Sequence, residues 1–336
     1  MQAAEAGYEG IVKLLLDRKE VNPESRGNSG QTPLLCAAKG GHKRIVKLLL
    51  DGKKVNPDTK DISGRTPLWF AAEGGHEEVM KILLDRKDVY PDVRDKHGRT
   101  PLWSAANARY EGIVKLLLDR EEVNPDSRDK HGKTPLRRAA RGGHERIAKL
   151  LLDRDEVNPQ SISNSGQTPL LCAARGGHEG IVKLLLDRKE VNPDLSDNGG
   201  QTPLFHAAQR GHEGIVKLLL GQKEVNPDSK NNHCQTPLLC AAEGGHEGIV
   251  KLLLDRQEVN PDSRSDHCQT PLLCAAKRGH EGIVKLLLSR KEVNPDSRDK
   301  RGKTPLQGAA KRGHEGIMEL LLGCFDASPK RRRLMP

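Results

Sequence analysis

The residues in this sequence that could do chemistry are led by eight histidines that follow glycine: His42, His76, His144, His178, His212, His246, His280 and His314. A neutral imidazole is both a base and a metal ligand. Even recurrence points to a structural role instead, because a reaction needs its base once. His233-Cys234 with Cys240 is a sharper candidate, repeated as His267-Cys268 with Cys274, since Cys and His are zinc ligands. Stacked helices lie about 8–10 Å apart, too far for equivalent residues to share one tetrahedral ion. A Cys234–Cys268 disulfide meets the same obstacle, because Cα atoms more than about 7 Å apart cannot be bridged. Cys36, Cys172, Cys240 and Cys274 therefore read as small core residues. No His-Glu-x-x-His, Gly-x-Ser-x-Gly or phosphate-binding loop occurs. The expectation is no enzyme, no cofactor, no metal and no small-molecule substrate.

The totals frame the rest. Only 2% of the 336 residues are aromatic, 30% are charged, and 35% are hydrophobic. That is little apolar material for one large spherical core, but enough for an array in which each unit buries itself against its neighbours. The net charge of +10 calls for acidic partners. The seven cysteines include no Cys-x-x-Cys pair, and no Asn-x-Ser/Thr acceptor or basic-then-apolar leader occurs. Apolar runs are broken by lysine, as in Ile181-Val182-Lys183-Leu184, so no membrane partner is expected. These features point to an intracellular protein, cytoplasmic or nuclear.

The elements that must position any site recur with one period. Thr-Pro-Leu begins at Thr32, Thr66, Thr100, Thr134, Thr168, Thr202, Thr236, Thr270 and Thr304. The step is always 34 residues, the mark of a repeat array. Within one unit, Thr134 suits a helix N-cap and Pro135 the first helical position. Leu136, Ala139 and Ala140 give a short helix with a small-residue face, which Gly142-Gly143 ends. His144 opens a second helix with Ile147, Leu150, Leu151 and Leu152 on its apolar stripe. Asn158-Pro159 stops it, and Asp129-Lys130-His131-Gly132 reads as a turn tip between short extended arms.

The unit resembles an ankyrin repeat, with Thr-Pro-Leu, Ala-Ala, Gly-His and Leu-Leu-Leu all in register over residues 3 to about 322. The resemblance implies an all-α solenoid of helix-turn-helix units with short β-hairpin-like tips. Nine full repeats would start near residues 28, 62, 96, 130, 164, 198, 232, 266 and 300, after an N-terminal half repeat, 1–27, and before a basic tail, 324–336. The family usually carries His after Thr-Pro-Leu; here that slot holds Leu35, Trp69, Trp103, Arg137, Leu171, Phe205, Leu239, Leu273 and Gln307. Asn-Pro-Asp also replaces the family's glycine after the second helix. That dialect is similar to fungal arrays, which often follow nucleotide-binding oligomerisation modules. Ala3-Ala4 aligns with Ala37-Ala38, so the start is either a half repeat or a cut through a longer protein. The last helix, with no neighbour beyond it, is expected to fray.

The resemblance implies a non-catalytic scaffold that binds protein on a concave side lined by turn tips and first helices. Those variable slots are the two tip residues, the residue before Thr-Pro-Leu and the two after Ala-Ala, from Asn28, Ser29, Gln31, Lys39 and Gly40 onward. Over nine repeats they hold Lys or Arg sixteen times and an acid three times, at Glu73, Glu243 and Asp266. Their net of thirteen positive charges exceeds the whole-chain +10, so the framework is acidic. A protein with an acidic surface is the expected partner; a nucleic acid or other polyanion is the alternative. Five of the eight aromatics lie between residues 69 and 110, and binding energy concentrates in Trp, Tyr and Arg clusters. The candidate contact set is Trp69, Phe70, Lys96, Arg99, Trp103, Lys130, Lys133, Arg137, Arg138 and Arg141. The other reading of Trp69 and Trp103 is that they replace Leu in a half-buried slot. Asn107-Ala108-Arg109-Tyr110 replaces the Gly-His element and puts Arg109 where glycine is expected, as a hinge or as drift in one copy. Lys330, Arg331, Arg332 and Arg333 resemble a nuclear import signal, or an ordinary solvated end.

Overall fold

The structure, a computed structural model, describes residues 1–52 and 55–326. Among these residues there are twenty helices and no strand. The helices come in pairs, from Gln2–Glu5 with Glu9–Leu16, through Pro33–Lys39 with Lys43–Asp51, to Pro305–Ala310 with Glu315–Asp326. The chain divides into two compact units, Met1–Asn164 and Ser165–Pro336, at a point where a repeat was expected to begin. Within each unit, first helices stack on first helices and second helices on second helices.

Each first helix starts as local chemistry dictates. The Thr134 hydroxyl accepts the Arg137 backbone N–H at 3.2 Å, and Pro135 opens Pro135–Gly142 without wasting a donor. Gly143, at φ 71°, closes that helix by donating its N–H to the Ala139 carbonyl. The Ala pairs are fully buried: Ala71, Ala72, Ala105, Ala106, Ala139 and Ala140 are all 0% exposed. Their small size lets neighbouring first helices approach closely. The stripe Ile147, Ala148, Leu151 and Leu152 closes the core from the second helix.

The tips keep a hairpin-like turn without strand pairing. Asp129 Oδ1 accepts the N–H groups of His131 and Lys133 at 2.9 Å, and Gly132 donates back to the Asp129 carbonyl. Successive tips are tied by a single backbone bond, as from Lys130 N–H to the His97 carbonyl at 2.9 Å. Histidines staple the first helices: His42 Nε2 lies 2.9 Å from the Glu5 carbonyl, and His76 Nε2 2.9 Å from that of Lys39. Arginines cap the second helices, as Arg86 does to the Leu50 carbonyl at 3.3 Å.

Four local departures stand out. Arg109 takes the glycine conformation at φ 69° and caps its helix through the Ala105 carbonyl, so the degenerate unit keeps the shape of the others. Tyr110 lays its ring over Gly75, where His76 covers Gly41 in the preceding unit. Cys234 and Cys268 occupy the tip position of Gly132 and Gly200 at φ 55° and 54°. The last helix runs to Asp326, past the tail boundary expected at 324, since the Asn-Pro stop is missing there. Both outer faces are uncovered: Ile11 is 49% and Leu322 44% exposed, against 1% for Ile45 and 7% for Leu254.

The Asn-Pro-Asp element adds a recurrent unsatisfied group. Asp58 accepts the Tyr90 backbone N–H at 2.9 Å, and Asp92 and Asp126 accept those of Asn124 and Asn158. In each, the other oxygen, Oδ1, is buried without a hydrogen-bond partner. Burial pushes the Asp92 carboxyl up to about 6, against the opposing pull of Arg94 and the Asn124 N–H. The ionised form is thus the disfavoured one in the fold. Stability linked to Asp92 is complete below the ordinary value of 3.8 and is lost as pH rises through about 6.

Asp92→Asn should therefore raise the urea midpoint at neutral pH and leave it unchanged in acid, where the parent carboxyl is already neutral. Equal gains at both ends would mean that ionisation is not the cost. Arg109→Gly and Cys234→Gly should each stabilise by about 0.5–1 kcal/mol, the left-handed strain less the added freedom of the unfolded chain. Urea unfolding reads this, and a loss of stability in either variant would contradict it.

Candidate functional site

In the Met1–Asn164 unit, the expected contact residues build a layered face. Asp61 anchors its base by accepting Arg65 Nε at 2.8 Å and Nη2 at 2.7 Å through the same Oδ2. Asp95 holds Arg99 identically, at 2.7 and 2.6 Å. Both acids are buried, so these charge-assisted bonds are shielded from water. In the next unit Lys133 replaces the arginine, and Arg138 reaches Asp129 Oδ2 at 3.7 Å from the first helix.

These guanidinium groups alternate with rings. Arg65 sits 4.5 Å from the Phe70 centroid and 5.2 Å from that of Trp69. Arg99 lies between Trp69 and Trp103, at 5.3 and 5.5 Å, and Arg138 covers the far side of Trp103 at 4.3 Å. Trp69 meets Phe70 edge-on at 5.5 Å. A cation over an indole contributes about 0.5–2 kcal/mol depending on desolvation. Held by an acid on one edge and rings on its faces, each guanidinium has little freedom left.

This arrangement corrects the expectation of aromatic anchors. Trp69 is 1% and Trp103 6% exposed, and Phe70 is buried with them, so no partner touches these rings directly. The two tryptophans fill the slot occupied by Leu35 and Phe70 that of Cys36, so larger apolar groups are buried beneath the arginines. Both indole Nε1 atoms are buried without a hydrogen-bond partner. Arg137 is buried as well, at 2%. Lys96, Lys130 and Arg141 are exposed, while Lys133, Arg99 and Arg138 are partly covered. Burial pushes the Lys133 ammonium down, helped by the neighbouring Arg138. The expected charge excess is also diluted, since Asp61, Asp95 and Asp129 lie directly under the face. The basic residues Lys330, Arg331, Arg332 and Arg333 lie outside the described residues.

The Ser165–Pro336 unit fills the same positions differently. Asp197 Oδ2 meets His206 Nε2 at 3.3 Å, with the imidazole buried and pushed toward its neutral form by that burial. No group of three His, Cys, Asp or Glu among the described residues is arranged to hold a metal ion. Cys36, Cys172, Cys240 and Cys274 are buried, and burial pushes the thiols of Cys240 and Cys274 up to about 12, which makes them inert. At the far end of this unit a cavity of about 410 Å³ opens between two first helices, lined chiefly by lysine and arginine. The cavity lies outside the expected contact set; its signal in the sequence is Gly308, where other repeats carry Cys36, Phe70, Arg138 or His206.

A family model described as ankyrin repeats in three copies matches overlapping stretches that together run from residue 1 to 333. The chain belongs to the ankyrin-repeat family. Ankyrin repeats generally mediate protein–protein interaction, and proteins built from them are typically non-catalytic. No curated protein matches the chain. No helix among the described residues of this ankyrin array is long and apolar enough to cross a membrane.

Trp103→Leu tests the layered face. Leucine already fills this slot at Leu35, Leu171, Leu239 and Leu273, so the variant should fold. It should lose about 1–3 kcal/mol, from a smaller core residue and two lost guanidinium contacts. An unchanged urea midpoint would show that the stack contributes nothing.

Proposed function

We propose that the chain is a non-catalytic interaction scaffold whose face of first helices and turn tips receives an acidic protein surface. The observation that carries this reading is the charge asymmetry between face and framework. Lys or Arg stands in sixteen of the variable slots and an acid in three, while the rest of the chain carries net negative charge. Lys96, Lys130 and Arg141 make the outermost contacts, with Lys133, Arg99 and Arg138 behind them. Trp69, Phe70 and Trp103 act from beneath, by holding Arg65, Arg99 and Arg138 in fixed positions before a partner arrives. Rigid donors lose less entropy on binding, which favours affinity without added area. Arg137 supports the same layer from inside.

Binding of the full chain to a fluorescein-labelled polyglutamate peptide tests this, with a DNA duplex as comparison. The peptide should bind, and a Lys96→Gln, Lys130→Gln, Arg141→Gln triple variant should weaken overall binding measurably. Three exposed ion pairs at about 0.2–1 kcal/mol each correspond to roughly three- to a hundredfold for a site confined to this face. Tighter binding to the duplex, with affinity falling steeply with salt, would replace the protein reading by a polyanion reading. Failure of both ligands to bind would overturn the charge-based reading altogether.

A further inference from the structure

We propose that the cavity beside Gly308, in the last two repeats, is a docking site for an extended acidic peptide segment rich in aspartate or glutamate. The inference rests on the acidic-partner reading and moves its main contact point to the other unit. The cavity measures about 410 Å³, within the roughly 300–1,000 Å³ of ordinary ligand pockets.

Two sequence changes create it. Gly308 stands where the preceding repeats carry Cys240 and Cys274, so the side chain that would fill the space is missing. Gln307, in the slot of Leu273, turns back to its own helix start, where its Oε1 accepts the Thr304 N–H at 3.2 Å. It therefore does not fill the space either. The floor is Leu273 and the Gly308 backbone.

Six cations ring this opening: Lys277, Lys300, Arg301, Lys303, Lys311 and Arg312. Among the described residues, none of them forms an ion pair, in contrast to Arg65 and Arg99 on their aspartates. The one acid in the lining, Asp299, already accepts the backbone N–H groups of Arg301 and Lys303 through Oδ1, at 2.8 and 2.9 Å. Like charges gathered around a concavity reinforce one another's field and attract an anion strongly. Their layout selects the ligand: two tip residues, one residue before Thr-Pro-Leu and the ends of two first helices spread the charge along the face. A chain of carboxylates matches that spread, and a single small anion does not. Base stacking, on which single-stranded nucleic acids rely, finds no Trp, Tyr or Phe in the cavity lining and only the His267 imidazole to use.

The test is fluorescence anisotropy of labelled octaglutamate with the full chain and three variants. Gly308→Phe fills the cavity at constant charge. A Cβ there meets Lys277, the nearest atom being its Cβ at 3.6 Å, an ordinary contact, and phenylalanine outranks glycine inside a helix. Lys277→Gln with Lys311→Gln changes only exposed side chains and serves if the first variant folds poorly by circular dichroism. The lysine pair should weaken octaglutamate binding about tenfold, as for two exposed ion pairs of about 0.7 kcal/mol, and Gly308→Phe should weaken it as well, while Lys96→Gln with Lys130→Gln should weaken it less than either. Full binding by the Gly308 and lysine variants, with loss confined to the Lys96, Lys130 pair, overturns the cavity and leaves the acidic-partner reading standing. No binding of octaglutamate by the parent overturns both. A duplex that binds more tightly than the peptide and loses affinity in the Gly308 variant overturns the peptide as ligand.

Discussion

No helix pair in this chain can bury its own apolar face, and the whole structure follows from how each pair lends that face to the next. The alanine pairs set the terms. Ala71 and Ala72, like Ala139 and Ala140, are completely covered, and nothing larger fits where adjacent first helices touch. Leucines on either side then close the layer. Ile11 in the first helix pair and Leu322 in the last are half exposed, whereas their counterparts Ile45 and Leu254, packed on both sides, are buried.

Polar groups obey the same nearest-neighbour rule. A histidine ring reaches a carbonyl 37 residues back, an arginine reaches one 36 back, and an aspartate receives an N–H 32 residues on. Each unit thus completes the hydrogen bonding of the one beside it, which makes the array cooperative over short range. The aspartates are the costly members of this set, because one oxygen is satisfied and the other is buried with no donor. Neighbours also explain why faults are tolerated. Arg109 and Cys234 hold conformations meant for glycine, and the bonds on both sides over-determine the turn.

Charge on the binding face divides into cations with structural duties and cations without them. Arg65 and Arg99 are held by buried aspartates and stacked rings, so much of their charge is neutralised where it stands. Around Gly308 the cations have no carboxylate partners among the described residues, and glycine leaves room where other repeats carry a side chain. Net charge counted along a chain does not distinguish these two situations. What separates them is the side chain that reaches the tip acid: Arg65 and Arg99 pair with Asp61 and Asp95, whereas among the described residues Asp299 accepts only backbone N–H groups.

Interactions within about eight residues were legible in the sequence. Thr134 as a cap, Pro135 as a start, Gly143 and Arg109 in left-handed geometry, and the Asp129 turn all follow from local backbone chemistry. The 34-residue period likewise announced stacked units, and Ala-Ala announced their close contact. Contacts with residues one repeat away were not legible, because they depend on which side chain the neighbour supplies. Trp69 and Trp103 read either as surface anchors or as replacements for Leu, and burial against Arg65, Arg99 and Arg138 decides between these. Gln307 read as one more occupant of the slot after Thr-Pro-Leu, and its return to Thr304 is visible only in the structure. Local hydrogen bonding determined the helices and their ends; tertiary stacking alone decided burial, since exposure belongs to pairs of repeats and not to any one of them.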